Sequence, residues 1–268
     1  MSTRTAFVNG VAFWAPRLPG WPVAAPVLRG ETPAPEQAAP RPSPTLLAPT
    51  ERRRAPDTVA IALEVAVRAC ESAGADPRAL PSVFASTDGD LAINDYMSQT
   101  LARTPTLISP IRFHNSVHNA AAGYWTIGTG CHEPYTALSA YQDTFGEGLL
   151  EALSQAACDD LAVLLVAYDI EARGPLAGIV PSRGMLGVAI VVSPRAGVNS
   201  LAQVQWRTTR GTHRTSALRR NAGIVGSNSM ASCLPFFEAL ARAEPRTVCV
   251  GLSPSLLLEI DLDFSTDT

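Results

Sequence analysis

Residues Ser109–Ala152 read SPIRFHNSVHNAAAGYWTIGTGCHEPYTALSAYQDTFGEGLLEA. The pattern predicts a helical run around Asn119–Gly123 and a turn at Glu133-Pro134. It then predicts a short β-strand at Tyr135–Ala140 and a second, apolar helix at Phe145–Ala157. A strand that turns sharply into a helix exposes one side chain at the N-terminus of that helix.

The residue at this exposed position is Gln142. The free N–H groups and the dipole of a helix N-terminus stabilise negative charge and lower the pKa of a thiol. A cysteine here would therefore be an activated nucleophile. A glutamine amide neither ionises nor attacks, so the segment has a catalytic layout without a nucleophile. The alternative interpretation is that Gln142 is only a neutral polar residue in a turn.

The segment resembles the β-ketoacyl synthases of the thiolase superfamily. That family carries Ser-Pro, Asn-x-Ala-Ala-Gly, Gly-Pro and Thr-Ala-Cys-x-x-Gly in this order. Pro110, Asn119, Gly123, Pro134 and Gln142 fall at the same spacing without a gap. The resemblance implies an α/β fold, the layered α-β-α N-terminal half of a thiolase-like protein. At 268 residues the chain is too short for a second, similar half, so we expect a truncated ketosynthase fold.

The departures from the family pattern concern catalysis. Gln142 replaces the nucleophilic cysteine, and Phe145 replaces a glycine that lets the substrate approach. The family also uses two histidines in His-Gly-Thr and Gly-His contexts, which neither His132 nor His213 matches. Glutamine at the nucleophile position resembles the chain-length factors, the inactive partners of ketosynthases in type II polyketide systems. Compact versions accompany bacterial aryl-polyene pathways.

The resemblance implies a chain without catalytic residues, metal or cofactor. It also implies two partners: a full-length ketosynthase in a heterodimer and, transiently, an acyl carrier protein. Residues of this chain would form the interface and close the far end of the partner's acyl tunnel. By position these are Asp88, Gly89, Arg112, Phe113, Ser116, Asn119, Gln142 and Phe145.

Three questions stay open at this point. A ketosynthase-like chain with glutamine at this position could be a malonyl-carrier-protein decarboxylase, although such enzymes keep the two histidines. It could also be a homodimeric scaffold. Phe113 could form a tunnel wall or the core face of its own helix.

Other catalytic and metal-binding classes find little support. His114 and His118 are four residues apart on a predicted helix, but no third ligand follows, which favours packing over metal binding. The chain contains no Gly-x-Ser-x-Gly motif of a serine hydrolase. Its five cysteines form no Cys-x-x-Cys pair, which argues against a zinc site or a disulfide framework.

Composition indicates a globular protein with a large core. Hydrophobic residues make up 46% and charged residues 17%, with a net charge of −3. This charge does not favour nucleic acid or an anionic membrane surface. No lysine is present, which excludes Schiff-base chemistry. We find neither an N-terminal signal pattern nor a long apolar run and expect a cytoplasmic protein without a membrane span.

We expect one ketosynthase-like domain over 1–268, with a Pro-rich insertion at 15–50 and a short C-terminal remnant at 220–268. The insertion holds ten prolines, which predicts a surface excursion without helix or central strand. It could be a contact arm or a poorly ordered insertion. Predicted helices are Thr58–Ala73, Leu91–Arg103, Phe113–Ile127 and Ser229–Arg242; predicted strands are Ala6–Trp14, Ser82–Ser86, Leu161–Tyr168, Met185–Val192, Leu201–Thr208, Thr247–Gly251 and Leu256–Leu262.

Overall fold

A computed structural model describes residues 4–180 and 182–264. Its strands are β1 (Arg4–Ala15), β2 (Leu18–Pro19), β3 (Ser82–Ala85), β4 (Tyr135–Leu138), β5 (Val163–Asp169), β6 (Leu186–Ser193), β7 (Ala202–Arg210), β8 (Arg246–Ser253) and β9 (Leu256–Asp263). Its α-helices are α1 (Trp21–Arg29), α2 (Pro49–Arg54), α3 (Asp57–Ala73), α4 (Leu91–Arg103), α5 (Pro110–His114), α6 (Ala120–Thr129), α7 (Thr144–Asp159), α8 (Arg219–Val225) and α9 (Leu234–Arg242).

The strands form one mixed sheet in the order β4-β3-β5-β6-β1-β7-β9-β8, with β2 paired to the end of β1. Strand β3 runs parallel to both β4 and β5, and the other neighbours are antiparallel. Every residue of β5 is buried, as its continuous apolar run predicts.

Two cores lie on opposite faces of this sheet. Val11 and Phe13 of β1 belong to one core, and the alternating Ala12 and Trp14 belong to the other. This follows from the period of two along a strand. Helices α3 and α6 cover one face, and α1, α7 and α9 cover the other. The layered α/β fold expected from the sequence is confirmed.

Helix α7 packs against several strands of the sheet. It contacts β3, β5 and β6 and also β8. The contact with β8 is so close that a Cβ atom at Gly146 would lie 2.0 Å from the carbonyl oxygen of Gly251. A Cβ at Gly148 would lie 2.9 Å from the side chain of Ala85 in β3. Only glycine at these positions allows the helix to lie this close to both parts of the sheet.

The prediction that 15–50 contains no helix is wrong, because α1 lies within it. Pro22 occupies the first turn of α1, where its missing N–H would have no partner anyway. Pro26 does interrupt the helix ladder. Burial of the apolar face of α1 (Ala24, Ala25, Val27 and Leu28) against the core offsets that loss.

The part of the insertion after α1 is fixed to the body of the protein. The Arg17 guanidinium donates to the carbonyl oxygens of Pro35, at 2.7 Å, and Ala34, at 3.3 Å. The backbone N–H of Ala39 donates to Pro16. This segment is therefore held along the surface by defined bonds.

The helix predicted over Phe113–Ile127 is interrupted. Helix α5 ends at His114, and α6 begins only at Ala120. The Asn-Ser-Val-His-Asn run between them favours turns, since asparagine and serine side chains compete with helical backbone bonds. His114 and His118 therefore do not share one helix face, contrary to the sequence interpretation.

The helix predicted at Ser229–Arg242 also begins differently. Residues Ser229–Cys233 form a 3₁₀ turn, and α9 begins at Leu234, with Pro235 in its first turn. The N-terminal cap of this 3₁₀ turn is the side chain of Asn228 and not that of Ser229. Its Oδ1 accepts from the N–H of Met230.

A buried carboxylate fixes the loop that follows β3. Asp169 ends β5, and its Oδ1 accepts from the Ser86 hydroxyl at 2.8 Å and from the N–H groups of Thr87 at 3.0 Å and Asp88 at 3.2 Å. Burial raises the pKa of the Asp169 carboxyl to about 6, although the hydrogen bonds oppose the shift.

The raised pKa predicts how Asp169 affects stability. Between about pH 4 and 6 the folded state holds a proton that the unfolded chain has lost, so stability falls as pH rises through about 6. Asp169→Asn removes this titration. Between pH 4 and pH 7 the difference in unfolding free energy between Asp169→Asn and the native protein should therefore shift in favour of the variant. The shift should reach up to about 3 kcal/mol, at 1.36 kcal/mol per pKa unit. Urea unfolding at each pH measures the difference.

Asp169→Ala provides the contrast to the asparagine variant. It removes the acceptor and leaves the Thr87 and Asp88 N–H groups without it, which should cost about 1–3 kcal/mol at neutral pH. Asp160→Asn is the matched control, because Asp160 is exposed and pairs with Arg195 at the surface. A pH dependence of the Asp169→Asn difference no larger than that of the control would contradict the assignment.

Candidate functional site

The strand–turn–helix predicted around Gln142 is present. Strand β4 leads into a 3₁₀ turn at Tyr141–Asp143, and α7 follows directly. Tyr141 has φ of +52°, a backbone conformation that is unusual for a residue with a side chain. The Thr144 hydroxyl stabilises the turn, since it accepts from the N–H of Ala140 at 3.0 Å and donates to the carbonyl of Tyr141 at 2.8 Å.

Gln142 is exposed at this elbow and lines a pocket of about 150 Å³. Asp143 lines the same pocket, is buried, and has an ion-pair contact of 2.8 Å between its Oδ1 and Nη1 of Arg214. Asp143 Oδ1 has no hydrogen-bond partner, so the contact with Arg214 is an ion pair. The positive charge of Arg214 is therefore already compensated by Asp143.

No activated nucleophile replaces the missing cysteine in this pocket. Cys249 lines it, but burial raises the pKa of its thiol, and the negative charges of Glu259 and Asp261 raise it further. His132 and His213 are exposed and do not line the pocket. A nucleophile and an acid–base pair are thus missing from the part of the elbow that the structure describes.

Phe145 lies inside the core rather than at the surface. Its side chain is 0% exposed and packs against Phe236 and Phe237, with ring centroids 6.0 and 6.2 Å away. Phe145 therefore packs the first turn of α7 against the core, directly after the elbow.

Three of the predicted tunnel residues meet around one small pocket. Asp88, Gly89 and Ser116 line a space of about 70 Å³ between the loop after β3 and the turn between α5 and α6. Asp88 Oδ2 accepts from the Ser229 hydroxyl at 2.8 Å. Gly89 has φ of +61°, a backbone conformation that suits glycine.

Arg112 and Phe113 face solvent on α5 instead. The Arg112 guanidinium lies 4.1 Å from the centroid of the Tyr96 ring. Phe113 is 60% exposed, so the interpretation that it forms the core face of its own helix is wrong. Asn119 lies at the start of α6 and donates to the Tyr135 hydroxyl at 2.9 Å, which joins that helix to β4.

Eight exposed large apolar side chains lie between Leu101 and Tyr141, in the part of the chain that contains α4, α5, α6 and the edge strand β4. They are Leu101, Leu107, Ile111, Phe113, Val117, Ile127, Tyr135 and Tyr141, which we call the edge surface. An exposed apolar area beside an open strand edge is typical of a protein interface. Helix α6 contributes only partly to this surface, because Ala121, Ala122 and Trp125 are buried in the chain's own core while Gly123 has open space beside it.

Sequence reasoning missed Asp169, Asn115 and the Asp143–Arg214 pair. A carboxylate directly after a fully apolar strand is a usable signal for Asp169, because it predicts a polar group at the carboxyl end of a buried strand. The other two depend on contacts between distant segments, which no local pattern in the sequence reveals.

Some features lie outside this site. A cavity of about 720 Å³ lies between β1, α1 and α3, away from Gln142, with Trp14 and Trp21 in its walls. Its size exceeds that of the Gln142 pocket, but the family-pattern residues do not line it.

Within the described ranges, no helix combines the length and apolarity needed to cross a membrane. The same ranges hold no group of three or more His, Cys, Asp or Glu side chains placed to hold a metal.

Comparisons with solved structures show the same fold. A chain of the ketosynthase ApeO in complex with its chain length factor ApeC, from Xenorhabdus doucetiae, is 22% identical, with a TM-score of 0.70 over 96% of this chain and 99% of that chain. The ishigamide ketosynthase/chain length factor is 15% identical, with a TM-score of 0.72 over 97% and 99%. A β-ketoacyl synthase from Burkholderia phymatum is 10% identical, with a TM-score of 0.72 over 98% and 100%.

Sequence comparison identifies the family. No curated protein matches this chain. A family model described as the N-terminal domain of β-ketoacyl synthase, however, matches residues 28–248, a range that includes the elbow, α7 and both loops of the small pocket. The chain therefore belongs to the family of the β-ketoacyl synthase N-terminal domain.

Proposed function

We propose that this chain is a non-catalytic chain-length factor that pairs with a full-length ketosynthase and shapes its acyl tunnel. The pathway would be polyene, polyketide or fatty-acid-like biosynthesis. The observation that carries the proposal is Gln142 at an intact elbow. The strand, the turn with positive φ at Tyr141 and the helix N-terminus are all kept, while the side chain they expose cannot attack an acyl group.

The surroundings of Gln142 support a role without chemistry. Ketosynthase-type condensation needs a nucleophile, and an acid–base or oxyanion group must act on the same substrate. The pocket beside Gln142 instead contains a compensated Asp143–Arg214 pair and a cysteine of raised pKa. The decarboxylase alternative gains no support from this arrangement, because His132 and His213 lie elsewhere.

The partner follows from the edge surface. Among the described residues, β4 pairs only with β3, and its other edge is open to a second strand. Helices α4, α5 and α6 carry exposed apolar side chains in the same part of the chain. Two of the similar structures are described as a ketosynthase together with a chain length factor. A ketosynthase with a matching edge would cover this surface, and an acyl carrier protein would bind the complex transiently, in the cytoplasm.

The proposed mechanism is steric. The growing acyl chain extends through the ketosynthase tunnel towards the subunit interface until its tip meets a wall. Arg112 and Phe113 are exposed on α5, and Phe113 belongs to the edge surface. The loop with Asp88 and Gly89 and the turn with Ser116 lie next to them. The position of this wall would set the length of the product.

The first prediction is that the isolated chain is catalytically silent. Incubation with malonyl carrier protein and acyl donors should give neither an acyl adduct nor released carbon dioxide, because the elbow has no nucleophile. Gln142→Cys should not restore condensation, since the acid–base groups remain absent. Intact-protein mass spectrometry measures the adduct, with the partner ketosynthase as the positive control. An acyl group on a residue near 142 would contradict the proposal.

The second prediction concerns assembly. Co-expression with the ketosynthase should give a 1:1 complex whose interface buries roughly 2,000 Å² or more. Ile127→Asp places a charge on the edge surface, where Ile127 is 80% exposed, and should weaken the complex by at least about 2 kcal/mol, or about 30-fold. Light scattering and titration measure the stoichiometry and the affinity.

Val198→Asp is the matched control for assembly, because Val198 is fully exposed in the 194–201 loop and outside the edge surface. Both substitutions replace an exposed side chain, so both variants should fold. Equal affinity of the two variants would remove the edge surface from the interface. A stable homodimer without the ketosynthase would instead favour the scaffold alternative.

The third prediction concerns product length. Phe113→Ala should change stability by less than about 1 kcal/mol, because the ring is 60% exposed. In the complex it should shift products to longer chains in two-carbon steps, because the removed ring no longer blocks the tunnel. Mass spectrometry of the products measures the shift. Ile179→Ala, at another exposed apolar residue outside the edge surface, is the control; the same product lengths in both variants would exclude Phe113 from the tunnel.

A further inference from the structure

The pocket of about 70 Å³ near Asp88 contains an unsatisfied polar group. Asn115 lines it, is only 6% exposed, and its Oδ1 is buried without a hydrogen-bond partner. Its backbone N–H bonds to the carbonyl of Ile111, which fixes the residue at the end of α5. A buried acceptor without a partner costs about 1–3 kcal/mol. The pocket therefore favours a ligand that is a hydrogen-bond donor or a cation.

Further acceptors line this pocket, beside the hydroxyl and amide groups of Thr58, Asn94, Ser116 and Tyr168, which can also donate. Asp88 uses one carboxylate oxygen for the Ser229 hydroxyl. Asp90 uses one for the N–H of Ile93, as the cap of α4, at 3.0 Å. His118 Nε2 lies 2.8 Å from the carbonyl oxygen of Ser86, so Nε2 must carry the proton and Nδ1 of the neutral ring is an acceptor.

Neither carboxylate in the pocket is compensated. Among the described residues, no ion pair forms with Asp88 or Asp90. Burial is the main cause that raises the pKa of the Asp90 carboxyl. The positive charge of Arg173 lowers this pKa, but it is the smallest of the effects that act on the group. Asp169 bonds to the N–H of Asp88 and adds negative charge next to the pocket. Two carboxylates, each with one oxygen in a hydrogen bond, and an unbonded amide oxygen thus line a pocket to which no arginine among the described residues contributes.

We propose that this pocket is a binding site for a hard divalent cation of the Ca²⁺ type, held by Asp88, Asp90 and Asn115 Oδ1. Calcium takes six to eight oxygen ligands in flexible geometry, from carboxylates, amides and water. The two carboxylates match its charge. The described ranges hold no group of three or more His, Cys, Asp or Glu side chains placed to hold a metal, so no third acidic ligand is present here. The Asn115 amide oxygen is therefore the essential further ligand.

The size of the pocket separates the candidate ions. A space of about 70 Å³ holds roughly two waters, at about 30 Å³ each. A magnesium ion keeps several of its waters and needs near-ideal octahedral geometry, so it fits poorly. An ion that replaces water with irregularly placed protein oxygens fits better. With two charged ligands, we expect an affinity in the weak range of calcium sites, about 10⁻⁴–10⁻³ M.

A bound cation would connect two segments. Asp88 and Asp90 belong to the loop between β3 and α4, and Asn115 belongs to the turn between α5 and α6. These segments touch across the pocket, and an ion between them would hold both in one position. The site stands independently of the proposed function, because it depends only on groups within this chain.

Terbium luminescence tests the proposal on the full-length chain after chelator treatment. Tb³⁺ replaces Ca²⁺ in oxygen sites and emits when a nearby aromatic ring is excited, and Tyr168 lines this pocket. We expect a saturable signal that Ca²⁺ displaces more effectively than Mg²⁺ or K⁺ at equal ionic strength. Asn115→Leu and Asp90→Asn should each weaken binding at least about tenfold. Asp90→Asn keeps the helix cap, since asparagine caps as well as aspartate.

Asp95→Asn is the matched control, because Asp95 lies on the same helix, bonds to Gln99 and does not line the pocket. Its binding should equal that of the native chain. The proposal would be overturned if no saturable signal appears. It would also be overturned if the native chain, Asn115→Leu and Asp90→Asn bind equally, and either result would indicate water in the pocket. Thermal unfolding without metal checks folding: Asn115→Leu should be at least as stable as the native chain, since it removes an unsatisfied acceptor.

Discussion

The contact between α7 and β8 determines how the rest of this structure is arranged. At Gly146 the helix approaches the backbone of Gly251 more closely than any side chain would allow. A Cβ at Gly251 would in turn lie 2.3 Å from Asp143 Oδ1, next to Arg214. Because both glycines lack a side chain, the first turn of α7 can pack directly against the backbone of β8. The elbow residue Gln142 therefore lies beside the contact between α7 and β8.

This contact explains how the elbow can keep its shape although Gln142 cannot act as a nucleophile. The first turn of α7 is fixed by backbone contact on one side and by the Thr144 hydroxyl on the other. Its shape is therefore determined by packing and does not depend on the residue at 142. A cysteine or a glutamine would be presented in the same way, and the chemistry of the site can change while the fold is kept. The Asp169 carboxylate has a similar structural role in the loop after β3.

Much of the fold follows from local sequence patterns, and the failures have specific causes. The apolar run of β5 and the amphipathic α3 were predictable, because one face or both faces of each are buried. Helix α1 was not, since tertiary burial outweighs the local effect of Pro26. For the site, the elbow was predictable from turn and helix signals and from the family resemblance. The pairing of Asp169 with Ser86 and the closure of a pocket by Asn115 join segments far apart in the chain, so composition and spacing did not reveal them.

The place of β1 in the sheet has a consequence for the order of folding. This strand is near the N-terminus, yet its neighbours are β6 and β7, which begin at Leu186 and Ala202. During synthesis β1 is made long before β6 and β7, and apart from its end, which pairs with β2, it has no strand partner until they have been made. Its alternate side chains belong to both cores, so neither core can close before that point. Such long-range pairing slows folding and exposes an apolar strand to aggregation or to chaperones in the interval.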